Sequence, residues 1–160
     1  MTPSRLRLRP NWLIAIRRYL IAISFGNLLW EMAQMPLYAF WRTGTAAASA
    51  QAVLHCTLAD VLITTVALVA ALAVVGSPAW PNENVVSVAV AVVIIAASYT
   101  AYSEYVNTSL RKSWAYTEWR PTLPWLGTGL APLAQWMVVP VLALAWASRG
   151  FRIERGYNPV

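Results

Sequence analysis

The fold of this chain is decided by one stretch, residues 53–75, which reads VLHCTLADVLITTVALVAALAVV. Asp60 is the only residue of this stretch that carries a formal charge at neutral pH. A helix needs about 20 mostly apolar residues to cross the hydrocarbon core of a bilayer. Gly76 and Pro78 follow at once and are typical of a helix end. The stretch therefore predicts a transmembrane helix.

Three further apolar runs lie on either side of this stretch, at about residues 12–35, 85–105 and 130–147. The run that starts at Val85 is rich in β-branched residues, which in water would favour a strand. In lipid a lone strand leaves its backbone groups without partners, so a helix is expected there too. The sequence predicts an all-α fold, an antiparallel bundle of four transmembrane helices that forms one membrane domain over residues 1–160.

Composition excludes a soluble enzyme and a disordered chain. Of the 160 residues, 59% are hydrophobic and only 11% are charged, whereas a soluble domain carries about 25% charged residues. The net charge of +6 would suggest nucleic acid in a soluble protein. Here the basic residues flank apolar runs, so we expect no nucleic-acid partner and instead contacts with membrane lipid.

The basic residues also predict the orientation. With both termini on one side, that side carries eight of them: Arg5, Arg7, Arg9, Arg17, Arg18, Arg149, Arg152 and Arg155. The other side carries four: Arg42, Arg111, Lys112 and Arg120. The positive-inside rule places both termini in the cytoplasm, and we expect the chain in the inner (cytoplasmic) membrane. Tryptophans near the outer loops fit an interfacial belt: Trp41, Trp114, Trp119 and Trp125.

Polar residues inside the predicted spans recur at helical spacing. One such stripe on the first span consists of Ser24, Asn27, Glu31 and Gln34. Stripes on the next two spans are Cys56, Asp60 and Thr64, Gln51 and His55, and Thr100, Glu104 and Asn107. Lipid cannot satisfy such side chains, so we expect them to face the bundle interior or a wet cavity.

In antiparallel spans the ionisable members of these stripes lie toward the same membrane face. We therefore predict a catalytic set of Glu31, Asp60, His55 and Glu104. The predicted substrate-binding residues are Asn27, Trp30, Gln34, Trp114, Tyr116 and Gln135. A carboxyl group held away from water can donate a proton while a neighbouring carboxylate accepts one, so this set suits acid–base chemistry on an apolar small-molecule substrate.

Other interpretations of the polar layer remain open. Interhelical hydrogen bonds worth about 0.6–2 kcal/mol also hold membrane helices together, which would suit an accessory subunit or a lipid- or pigment-binding protein. A metal could bind Glu31, His55, Asp60 and Glu104, but their spacing matches no strong metal motif, and we predict neither metal nor cofactor. A proton-linked transporter usually has an internal repeat, and we find none that convinces.

The third loop and fourth span carry a more specific pattern within residues 103–147. An acid at a helix end, Glu104, precedes the aromatic pair Trp114 and Tyr116, and a glycine-rich loop and Pro132 follow. This pattern resembles the membrane carotenoid (lycopene) cyclase and carotenoid hydratase families. The resemblance implies an isoprenoid or carotenoid-like substrate. It departs at the next acid of the family pattern, where the spacing differs by one and Gln135 replaces glutamate.

A second resemblance covers Trp30–Tyr38 (WEMAQMPLY) and His55–Asp60 (HCTLAD). These segments are similar to those of small four-helix bacterial membrane proteins, a resemblance that implies the fold but no activity. The sequence therefore favours an intramembrane enzyme that acts on a lipid. It leaves open the substrate, and whether the chain forms a homo-oligomer or joins a larger membrane complex.

The orientation can be tested with reporters. We expect a reporter that is active only outside the cytoplasmic membrane to be silent when fused after Val160 and active when inserted near Thr45, since the positive-inside rule places these points on opposite sides. The opposite pattern of activity would overturn the orientation.

Overall fold

The computed structural model describes residues 10–123 and 127–150. The helices are α1 (Pro10–Gln34), the short α2 (Phe40–Thr43), α3 (Ala46–Val75), α4 (Val85–Tyr105) and α5 (Leu130–Ala147). A 3₁₀ turn at Met35–Leu37 and a π turn at Val106–Leu110 extend α1 and α4. The described residues contain four helices long and apolar enough to cross a membrane, and no β-strand. The predicted all-α membrane fold is confirmed.

The helix that was expected to begin at Val53 instead begins at Ala46. Thr45 lies just before it in an extended conformation, and its side chain accepts a hydrogen bond from the backbone N–H of Ala48 at 3.2 Å. A threonine in this position satisfies one of the N–H groups that the first turn of a helix leaves unpaired. Hydropathy alone misses this start because the first turns of α3 are mixed in polarity.

The four long helices form a ring in which α1 packs against α3 and α5, and α4 packs against the same two helices. At Gly26 the backbone of α1 comes close to α5. A Cβ atom built there would lie 2.7 Å from Cγ1 of Val139. The absence of a side chain at this position therefore lets the first and last helices of the ring meet.

The bundle is apolar on its outer surface and partly polar inside. Large apolar side chains such as Leu29, Leu62 and Val74 are exposed, as expected where lipid replaces water. Asn27, Glu31, Gln34, Thr64, Thr100, Glu104 and Gln135 are buried. The expected inward stripes are therefore found, except that Ser24, Gln51 and His55 are exposed.

One end of the bundle is covered by the loop before α5. We call residues 111–123 and 127–129 of this loop the strap. The strap pairs with the chain that follows α1: the N–H of Ala39 donates to the carbonyl of Ala115, and the N–H of Thr117 donates to the carbonyl of Leu37, both at 3.0 Å. These bonds fix the strap to the segment that follows α1.

Not all the tryptophans lie in an interfacial belt. Trp41 and the strap residue Trp119 are exposed, but Trp80 and Trp136 are buried in the core. Several residues used to predict the orientation and the aromatic belt lie outside the described residues: Arg5, Arg7, Arg9, Trp125, Arg152 and Arg155.

The close approach of α1 and α5 gives a test of the packing. Gly26→Ala should lower the free energy of unfolding by about 1–3 kcal/mol, because valine in a helix has little freedom to rotate away from the added methyl group. Adding Val139→Ala should recover part of that loss. Unfolding of the purified variants in detergent measures both effects, and strictly additive losses would contradict the proposed contact.

Candidate functional site

The centre of the polar layer is a pair of carboxyl groups on neighbouring helices. Glu31 lies near the end of α1, and Asp60 lies in the first half of α3. Their carboxyl groups are within hydrogen-bonding range of each other. Two carboxyl groups can share a hydrogen bond only if one of them holds a proton.

Amide side chains hold both members of this pair in place. Nε2 of Gln135 on α5 donates to Oδ2 of Asp60 at 2.8 Å and to Oδ1 of Asn27 at 3.1 Å. Nε2 of Gln34 donates to Oε1 of Glu31. The amides thus connect α1, α3 and α5 through hydrogen bonds that lipid could not supply.

The carboxyl pair lines a cavity of about 340 Å³, a volume typical of small-molecule sites. All four long helices contribute to its wall, with Glu31 from α1, Asp60 from α3, Thr100 from α4 and Gln135 from α5. Trp114 of the strap closes part of it. We call this space the polar cavity.

Three buried polar atoms beside the carboxyl pair have no hydrogen-bond partner in the described chain: Nδ2 of Asn27, Oε1 of Gln34 and Nε1 of Trp136. Gln34 and Trp136 line the polar cavity. An unpaired buried polar group costs about 1–3 kcal/mol. The residues of the cavity wall therefore include one unpaired donor, on Trp136, and one unpaired acceptor, on Gln34.

Glu104 belongs to a second cluster. It is buried, its Oε2 atom lies 3.4 Å from Nη2 of Arg120, and the hydroxyl group of Tyr116 donates to it. Nε1 of Trp114 donates to the Tyr116 oxygen at 2.9 Å. Burial, together with the hydrogen bond to Glu104, raises the pKa of Tyr116, so its phenol keeps the proton that it donates.

Arg120 anchors the strap through this cluster. Its side chain is fully buried, and its guanidinium carbon lies 3.3 Å from the ring centroid of Tyr116 and 4.8 Å from that of Tyr38. A Cβ atom on Gly129 would come within 2.0 Å of the guanidinium group, so glycine leaves the space that Arg120 fills. Arg120 was expected to be an interfacial topology signal, but it is a buried partner of Glu104.

His55 stands apart from both clusters. It lines the polar cavity, but it is exposed and forms no hydrogen bond within the described residues. Trp30 also lies away from the cavity wall, packed against the hydrophobic core. Of the predicted site residues, one cluster thus contains Glu31, Asp60, Gln34, Asn27 and Gln135. A second cluster contains Glu104, Trp114 and Tyr116. His55 and Trp30 lie outside both clusters.

Sequence reasoning missed Tyr38 and Arg120, because both lie in loops where helical spacing gives no signal. It also missed Trp136, which reads in the sequence as an ordinary apolar residue of α5.

Among the described residues no group of three or more His, Cys, Asp and Glu side chains is placed to hold a metal ion. No protein family, curated protein or solved structure matches this chain.

The two ion pairs that hold the strap differ in burial and can be compared directly. Arg120→Gln should lower the free energy of unfolding by about 3–5 kcal/mol, because it leaves the Glu104 carboxylate buried without its charged partner. The double variant Glu104→Gln, Arg120→Gln should lose less than the sum of the single losses. Unfolding in detergent measures each loss.

The matched control is the exposed pair formed by Arg42 and Glu118 at 3.0 Å. Arg42→Gln should barely change the unfolding midpoint, because solvent screens this pair. Equal losses for Arg42→Gln and Arg120→Gln would show that burial of the Glu104 pair does not set its strength.

Proposed function

We propose that this protein is an intramembrane enzyme that performs acid–base chemistry on a lipid, with Glu31 and Asp60 as the acid and base. The observation that carries this proposal is the position of two neighbouring carboxyl groups, Glu31 and Asp60, on the wall of one cavity. If the pair shares one proton, one member can donate to the substrate while the other accepts. Both groups are then ready for reaction without a change of helix packing.

The roles of the surrounding residues follow from their contacts. Gln135 and Gln34 orient the carboxyl groups and are positioning residues. Trp114, Trp136 and Tyr38 are aromatic residues that line the polar cavity, and aromatic rings stabilise a positive charge placed over their faces. Glu104 positions the strap through Arg120 and Tyr116. His55, at the exposed part of the wall, would exchange protons between the cavity and the surroundings.

An apolar substrate suits this arrangement, and an isoprenoid or carotenoid-like lipid is the class that the sequence pattern near Glu104 suggests. We also propose the bacterial inner membrane with both termini in the cytoplasm. Arg17, Arg18 and Arg149 lie at the end of the bundle opposite the strap, and Arg120 is neutralised inside the protein. Without Arg120, the side of the termini carries still more basic residues than the other side. This difference favours the orientation, with the carboxyl pair in the outer half of the membrane.

A second candidate function is a non-enzymatic accessory or lipid-binding protein. The Glu104 cluster favours it, because there a buried carboxylate is tied to a loop by Arg120 and Tyr116. Lipid and pigment profiles of cells with and without the gene distinguish the two functions. An accumulating precursor supports the enzyme, whereas unchanged profiles and co-purification with a larger complex support the accessory protein.

Isosteric variants separate chemistry from scaffolding. Glu31→Gln and Asp60→Asn keep shape and hydrogen-bonding capacity but cannot ionise. If the pair transfers protons, each variant should lower turnover about 10²–10⁴-fold while its abundance and stability in detergent stay near wild type. Restoration of the lipid profile in cells that lack the gene is the measurement.

The control for these variants is Glu83→Gln. Glu83 is an exposed carboxylate in the loop between α3 and α4, far along the chain from the pair, and its amide variant should restore the profile fully. If Glu31→Gln and Asp60→Asn also restore it, the carboxyl groups are structural and the enzyme proposal is wrong.

A further inference from the structure

A second cavity of about 510 Å³ lies on the other side of Glu31. It shares Glu31, Tyr38, Cys56 and Trp114 with the polar cavity. Its remaining wall is mostly apolar and includes Met35, Phe40 and Ala52, but the strap adds Lys112 and Ser113. We call it the side cavity. It has a buried carboxyl group in one part of its wall and an exposed ammonium group in another.

An apolar groove adjoins the side cavity on the outside of the bundle. This groove has a volume of about 600 Å³ and is lined by residues of α1 and α3, among them Leu28, Met32 and Leu54. Met32 and Leu54 are exposed, so the groove faces the lipid. Met35 lines both spaces. The groove and the side cavity are therefore neighbours, with Met35 between them.

The charges around the strap favour an anionic head group on that molecule. Arg42 and Arg120 are ion-paired with Glu118 and Glu104. Arg111 and Lys112 form no ion pair among the described residues, and of these two only Lys112 lines the side cavity. An uncompensated cation near the membrane interface attracts anionic lipid. The Glu31 carboxyl group, at the buried wall, would not attract such a head group.

We propose that the side cavity binds one membrane lipid with an anionic head group, which lies at Lys112 while its chain runs along the groove. This position brings the part of the molecule next to the head group against Glu31. The proposal rests on the proposed function only in taking this lipid as the substrate, an apolar chain that carries an anionic head group. A free anion fits less well, because most of the wall is apolar and continues into the groove.

Native mass spectrometry of the full chain in detergent tests the proposal. We expect one saturable phosphatidylglycerol, bound at lower concentration than phosphatidylcholine. Lys112→Gln should raise the half-saturating concentration of phosphatidylglycerol about fivefold, the effect of one interfacial charge, and leave phosphatidylcholine unchanged. Arg111→Gln, which removes the neighbouring cation outside the cavity, should change it less than twofold. Ala52→Phe fills the cavity and should weaken binding of both lipids.

Several outcomes would overturn the proposal. These are equal affinity for the two lipids, equal losses for Lys112→Gln and Arg111→Gln, no effect of Ala52→Phe, or displacement of phosphatidylglycerol by inorganic phosphate at matched concentration. Binding is measured without turnover, so the two proposals fail separately. If Glu31→Gln supports full function while the lipid binds as expected, the enzyme is wrong and the lipid site stands.

Discussion

The hydrocarbon core of a membrane offers no hydrogen-bond partners, and this constraint organises the whole bundle. A polar side chain on a spanning helix must find its partner on another helix, in a loop, or in a cavity. Asn27, Gln135 and Asp60 meet this demand together, because one amide group on α5 donates to both of the others. The same hydrogen bonds bring α1, α3 and α5 into a fixed relation and place two carboxyl groups side by side.

The polar layer has two parts that differ in what they contact. Around Glu104, the guanidinium group of Arg120 and the phenol of Tyr116 both contact Oε2, so this carboxylate is tied to the strap. Around Glu31 and Asp60, the amides leave some buried polar atoms without a partner, and the two carboxyl groups line the polar cavity. The first arrangement resembles a structural joint. The second leaves room for a ligand, which is why the proposed chemistry centres there.

Much of this could be predicted from sequence, for identifiable reasons. The four spans follow from hydropathy, and the inward direction of Asn27, Glu31 and Gln34 follows from their spacing of 3–4 residues on one helix face. His55, which was grouped with the inward stripes, lines the polar cavity but is exposed, and it lies beside Cys56 at the edge of that face. The partnership of Glu104 with Arg120 could not be predicted, since it depends on the path of a loop that has no periodicity.

The position of Gln135 has a consequence for biosynthesis. The ribosome makes α5 after α1, α3 and α4, so three spanning helices enter the membrane before the amide that joins Asp60 to Asn27 exists. Until then, Asp60 and Asn27 lack the Gln135 amide, and Gly26 has no Val139 side chain packed against it. The nascent protein therefore passes through a stage in which the polar groups of Asp60 and Asn27 lack this partner inside the membrane. Lipid cannot satisfy these polar groups, and arrival of the fourth long helix supplies the missing partner.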